Sequence, residues 1–258
     1  MPNEITALYE GSYSVDVSKK FIPFDTTLHL KADRPASLFI YVQPFLIKTE
    51  NELLVLDTGL GYNNAAGEMI LHQNIIKAGY NVNDVTKVLM THLHFDHSGG
   101  IVFNQDGKLE LSFPNAEYIV QRGEWETAYS GNSKSYRTEI FDVLQRSGQL
   151  HLVDGNGLLT NEISYELTGG HCEFHQVFHI KTADNYYFFG GDILPEPEQL
   201  IKKFAAKYDF DGRKALDLRL QYGEKAVAEN WICLFYHSDN KAYAKVHKNE
   251  AGFYFETI

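Results

Sequence analysis

His92-Leu93-His94-Phe95-Asp96-His97 places four metal-competent side chains within six positions. The apolar run Val88-Leu89-Met90 precedes it and Ser98-Gly99-Gly100 follows, so a strand delivers these residues into a glycine-rich loop. Neutral imidazole nitrogens and a carboxylate suit zinc and other divalent first-row metals. One loop of ligands does not enclose two metals, and three further positions qualify. His171 follows the Thr168-Gly169-Gly170 turn, Asp192 follows the run Tyr186–Phe189 and Gly190-Gly191, and His237 ends the run Trp231–Tyr236. A third carboxylate, in Asp57-Thr58-Gly59, closes the run Glu52–Leu56. Each lies at a strand end or in the turn after one, where scaffolds commonly assemble binding sites.

Composition narrows the function classes. The chain has 258 residues, 44% hydrophobic and 22% charged, which is globular and long enough for a sizeable core. Its net charge of −11 removes the electrostatic attraction on which nucleic-acid binding depends. No window has the apolar length of a membrane span, so no membrane partner is expected. Met1–Val17 lacks the apolar stretch of a signal peptide. Two cysteines, Cys172 and Cys233, are too few for a disulfide framework, and a reducing, cytoplasmic location is expected. The expected partner is a small-molecule substrate; oligomeric state has no signature here.

Hydrophobic patterning predicts strands over Leu38–Lys48, Glu52–Leu56, Val88–Met90, Tyr118–Val120, Glu162–Leu167, Gln176–Lys181, Tyr186–Phe189, Trp231–Tyr236, Ala242–Val246 and Phe253–Glu256. Helices are expected over Asn64–Ala78, Glu124–Tyr129, Thr138–Arg146 and Asp211–Asn230. No linker divides the chain, so residues 1–258 are read as a single α/β domain with helices outside two sheets. Pro195, Glu196, Pro197 and Glu198 read as a loop beside the site.

In order and approximate spacing, His92-His94-Asp96-His97, Gly170-His171, Gly191-Asp192 and Tyr236-His237 resemble the metallo-β-lactamase-fold hydrolases, and Asp57-Thr58-Gly59 matches that superfamily's early Asp-Thr-Gly. The resemblance implies a four-layer αββα sandwich with two divalent metal ions, zinc foremost and manganese or iron as alternatives. It implies that His92, His94 and His171 hold the first metal, that Asp96, His97 and His237 hold the second, and that Asp192 bridges them. Asp96 and Asp192 are then the catalytic carboxylates as well, serving a metal-bridging hydroxide whose parent water has its pKa lowered to about 7. Asp57 would support the histidine loop without touching metal, and His175 would have a supporting or structural role.

Within the superfamily, Val120-Gln121-Arg122-Gly123-Glu124-Trp125-Glu126 and the helix near Arg219 leading to Phe235-Tyr236-His237 most resemble the branch of N-acyl-homoserine lactonases and phosphotriesterase-like hydrolases. One departure stands out: Pro195 occupies the position where lactonases of this branch often carry a tyrosine that hydrogen-bonds the substrate carbonyl. The implied activity is hydrolysis of a small ester, lactone or phosphoester. The alternatives are a thioesterase, a mononuclear iron oxidoreductase of the sulfur-oxidising kind, and a non-catalytic sensor. Phe95, Phe24, Phe45 and Tyr236 are candidates for an apolar pocket. His29, His72, His151, His179 and His247 lack ligand context, and Cys172 and Cys233 read as packed residues.

Overall fold

Four short strands, Leu53–Leu56, Lys87–Leu89, Glu117–Gln121 and Leu150–Val153, run parallel from the middle of a six-stranded sheet to one edge. Phe45–Lys48 and Ile5–Ala7 extend it antiparallel on one side. The residues described are 4–131, 133–203, 205–239 and 241–258 of a computed structural model. A second, seven-stranded sheet contains Ile163–Leu167, Gln176–Lys181, Tyr186–Phe189, Ile232–Leu234, Tyr243–Asn249 and Gly252–Thr257, with Tyr186–Phe189 and Ile232–Leu234 parallel. Continuous apolar runs are what strands covered on both faces require. Accordingly Phe45, Ile47, Leu54, Leu56 and Leu89 face Phe178, Ile180, Phe189 and Leu234 between the sheets. Leu46, Val55, Val88 and Val120 face outward, under Leu71 and Ile75 of the helix Ile70–Lys77 and Phe141 and Leu144 of the helix Thr138–Ser147. On the far side, Val177, Phe188 and Cys233 pack under Ala215, Tyr222 and Ala226 of the helix Gly212–Glu229. The result is the expected αββα sandwich.

Two expected elements differ. The run Leu38–Lys48 is two strands in two sheets: Leu38–Val42 pairs with Gly11–Val15, and Phe45–Lys48 pairs with Leu53–Leu56. Pro44 has no N–H to continue a ladder. Gln43 Nε2 pins the bend by donating to the carbonyls of Phe235 and Ser238, each at 2.7 Å. The helix expected from Asn64 begins only at Ile70. Asn64 Oδ1 instead accepts the N–H groups of Ala66 and Glu68, an Asx turn that competes with helix. By contrast, Asp211, whose side chain accepts the Lys214 N–H at 3.0 Å, and Asn230, left-handed at φ 55°, cap the long helix where expected. Other pieces had no counterpart in the patterning, among them Leu150–Val153, the hairpin Val102–Gln105 with Lys108–Leu111, and the strands Gly11–Val15 and Phe21–Pro23, which form a small sheet with Leu38–Val42. That small sheet lies over the mouth of the site. Among the described residues no helix is long and apolar enough to cross a membrane.

Candidate metal centre

The parallel strands of both sheets direct their carboxyl ends to one edge, where α/β folds place their ligands. Asp57 follows Leu53–Leu56, the histidine loop follows Lys87–Leu89, Asp192 follows Tyr186–Phe189, and His237 follows Ile232–Leu234. Position 191 suits glycine because its φ is +48° and a Cβ there would lie 2.8 Å from Thr91 Cβ and from His175 Nε2. This close approach seats Asp192 against the opposite sheet.

His92, His94 and His171 form one trio: His92 Nε2 and His171 Nε2 lie 3.0 and 3.1 Å from His94 Nδ1. Asp96, His97 and His237 form a second, with Asp96 Oδ2 3.9 Å from His97 Nε2 and 3.8 Å from His237 Nε2. Asp192 lies between them. Its Oδ2 is 3.1 Å from His171 Nε2, while its Oδ1 is 3.1 Å from His237 Nε2 and 3.2 Å from His97 Nε2. One carboxylate oxygen therefore serves each trio. His97 Nε2 and Asp192 Oδ1 are buried without a hydrogen-bond partner among the described residues, although buried polar atoms are ordinarily paired. Five imidazoles and two carboxylates converge with lone pairs facing inward, a donor set that fits two divalent ions.

Four of the outer ring nitrogens are held, which fixes tautomer and orientation. His97 Nδ1 meets Asp57 Oδ2 at 2.8 Å, and the same carboxylate accepts the Thr91 N–H and hydroxyl, each at 2.7 Å. His92 Nδ1 lies 3.0 Å from Thr91 Oγ1. His237 Nδ1 meets the Tyr41 carbonyl at 2.6 Å, and His171 Nδ1 meets Asp209 Oδ1 at 2.9 Å. His175 is fully buried, lies 3.0 Å from Thr168 Oγ1 and accepts the Asp192 N–H at 3.2 Å, so it holds the bridging residue's backbone. Tyr236 stacks on His97 at 4.1 Å and donates its hydroxyl to the Asp96 carbonyl. Asp209 and the Tyr41 carbonyl escaped the sequence reading: Asp209 is 38 residues from its partner, and a carbonyl leaves no side-chain signal.

Burial and charge act differently on the residues of the centre. Burial holds His92 and His94 well below the ordinary imidazole range, and neighbouring histidines push the same way. Burial opposes ionisation of Asp192, but His171, His97 and His237 hold its carboxyl well below the usual range. Burial also opposes protonation of His97 and His237, and the Asp192 carboxylate overrides it, raising both.

Beside the centre lies a cavity of about 570 Å³, walled by Phe21, Leu38, Ile40, Phe95 and Phe210. Of the candidate pocket aromatics, Phe95 lines it. Phe45 and Tyr236 belong to the core between the sheets, and Phe24 is buried against Phe39. Pro195 reaches the rim and its carbonyl accepts the His237 N–H at 2.9 Å. Phenols reach the cavity from elsewhere, as Tyr136 and Tyr208. His29, His72, His179 and His247 have partners away from the centre, His151 is exposed, and Cys172 and Cys233 are buried and unbridged.

Known proteins align with this arrangement. An N-acyl homoserine lactonase of Bacillus thuringiensis is 29% identical over 160 residues, covering 55% of this chain and 58% of that protein. The N-acyl homoserine lactonase AttM of Agrobacterium fabrum is 32% identical over 148 residues, covering 53% and 47%. The chain thus spans about half the length of the curated relatives it matches. Among solved structures, a probable metal-dependent hydrolase from Staphylococcus aureus superposes with a TM-score of 0.77 at 21% identity, covering 100% of this chain and 98% of that one. AidC, a dizinc quorum-quenching lactonase in complex with a product, superposes with a TM-score of 0.71 at 20% identity, covering 98% and 94%. At these identities the likeness shows the fold. The family model of the metallo-beta-lactamase superfamily matches residues 39–228, and the chain belongs to that superfamily.

Proposed function

We propose that the chain is a dinuclear metal-dependent hydrolase that opens a small lactone or cleaves a neutral carboxylic ester, with zinc at both positions. The observation that carries this reading is Asp192, with one oxygen toward each trio. Two divalent ions there would supply a water with its pKa lowered to about 7 and would polarise the substrate oxygen. Asp192 and Asp96 would hold the two positions together by offsetting their positive charge. The apolar cavity wall would take the acyl group, and Tyr208 or Tyr136 would face the ester end. The names of the lactonase relatives support the lactone over the phosphoester.

The test is turnover of γ-lactones with short and long acyl groups, aryl esters and a phosphotriester by zinc- and manganese-loaded protein. The expected result is lactone or ester hydrolysis that a chelator abolishes and added metal restores. Absence of turnover on every lactone and ester, with two metals bound, contradicts it.

A further inference from the structure

Glu124 is 1% exposed, and its hydrogen bonds among the described residues go to Leu93, Tyr136 and Cys172, not to any of the seven candidate ligands. Its Oε1 accepts the Leu93 N–H at 2.9 Å and the Tyr136 hydroxyl at 3.1 Å, and its Oε2 accepts the Cys172 thiol at 3.2 Å. Leu93 separates His92 from His94, and Cys172 follows His171. The two oxygens of one carboxylate therefore hold the two loops that supply the first trio. Those loops follow Lys87–Leu89 of one sheet and Ile163–Leu167 of the other, so the pair of bonds spans the two halves of the sandwich. In an extended segment, residues i and i+2 point to the same side. Fixing the Leu93 N–H thus aims His92 and His94 together. The third bond steadies Tyr136, whose ring centroid lies 5.2 Å from that of His94. The second trio is tied down by other groups: Asp57 on His97, Tyr236 on the Asp96 backbone and the Tyr41 carbonyl on His237.

Burying a carboxylate is costly, and donors from three separate loops offset part of that cost here. We propose that Glu124 is a positioning residue for the first metal position alone, setting the distance between the His92–His94 loop and His171. This rests on the dinuclear reading above. It goes beyond that reading by assigning different supports to the two positions.

The test is cobalt(II) titration of the metal-free full chain, followed by absorption. His94→Ala and His237→Ala would supply the reference spectra of the second and first positions, respectively. Glu124→Leu should weaken the first position by roughly 10–100-fold, the range for lost support of a metal ligand, and leave the second unchanged. Glu124→Gln keeps one acceptor oxygen and offers Cys172 an N–H, so it should recover most of that loss. Equal weakening of both positions, or of neither, in a chain whose wild type binds two ions, overturns the proposal while the dinuclear reading stands. A wild type that binds cobalt only at the second position, or not at all, overturns both. If Glu124→Leu fails to give a native circular-dichroism spectrum, Cys172→Ala carries the test. It removes only the Oε2 partner and should weaken the first position selectively by a smaller factor; an unchanged first position overturns the proposal.

Discussion

Among single side chains, Asp192 has a demanding position, because its burial is offset by histidines on both sides. Asp192→Asn keeps the shape and removes the charge. Turnover is expected to fall about 10³-fold or more, in line with the loss of a charge-stabilising group, and the second metal should be released more readily. Kinetics with metal analysis of the same sample check both parts. Asp209→Ala is milder: it frees the His171 ring and should cost roughly 10–100-fold in first-position metal affinity. Glu10 gives a prediction about pH. Burial pushes its carboxyl from 4.5 up to about 7, against the N–H bonds of Tyr62, Leu60 and Gly61. A folded-state pKa raised above the unfolded value makes stability greatest below about 4.5 and lost as pH rises through about 7. In metal-free protein, the unfolding free energy of wild type relative to Glu10→Gln should therefore fall by on the order of 3 kcal/mol between pH 4.5 and 8. Urea unfolding at the two pH values measures it, and a pH-independent difference contradicts the assignment. Ligand identity was legible at this scale because histidines clustered within six positions betray themselves. Glu10, Glu124 and Asp209 were not, since a lone buried acid looks in sequence like any surface one.

The elements position these residues through strand ends, and most of the strands could be read because both faces of the sheets are apolar. Where reading failed, a local group had overridden the pattern. Pro44 and Gln43 break an apparently continuous strand, and Asn64 diverts the chain before its helix. The hairpin at Asp106-Gly107 did carry a signal: both residues have positive φ, 52° and 86°, the requirement of a tight hairpin turn. In the small sheet, Gly11–Val15 and Phe21–Pro23 had none, because these strands are short and partly exposed. Yet that sheet supplies Phe21, Leu38 and Ile40 to the apolar wall of the cavity. If that wall receives an acyl chain, Phe21→Ala combined with Ile40→Ala should lower kcat/KM for a decanoyl lactone roughly tenfold or more relative to a butyryl lactone, the discrimination expected from lost apolar contact. Equal losses for both substrates would place the acyl chain elsewhere.

For the whole molecule, the centre joins the two halves of the sandwich. The His92–His97 loop comes from one sheet, and His171, Asp192 and His237 come from the other. Bound metal should accordingly stabilise the entire fold, by about 4 kcal/mol at a free concentration a thousand times Kd. The melting temperature should drop on chelation and recover on metal return. The most direct test of the bridged pair is the metal-to-chain ratio of protein purified without chelator, measured by elemental analysis. About two divalent ions per chain is the predicted result. A single ion per chain, unchanged after incubation with excess zinc, would contradict the bridged centre and leave one trio of converging ligands without a purpose.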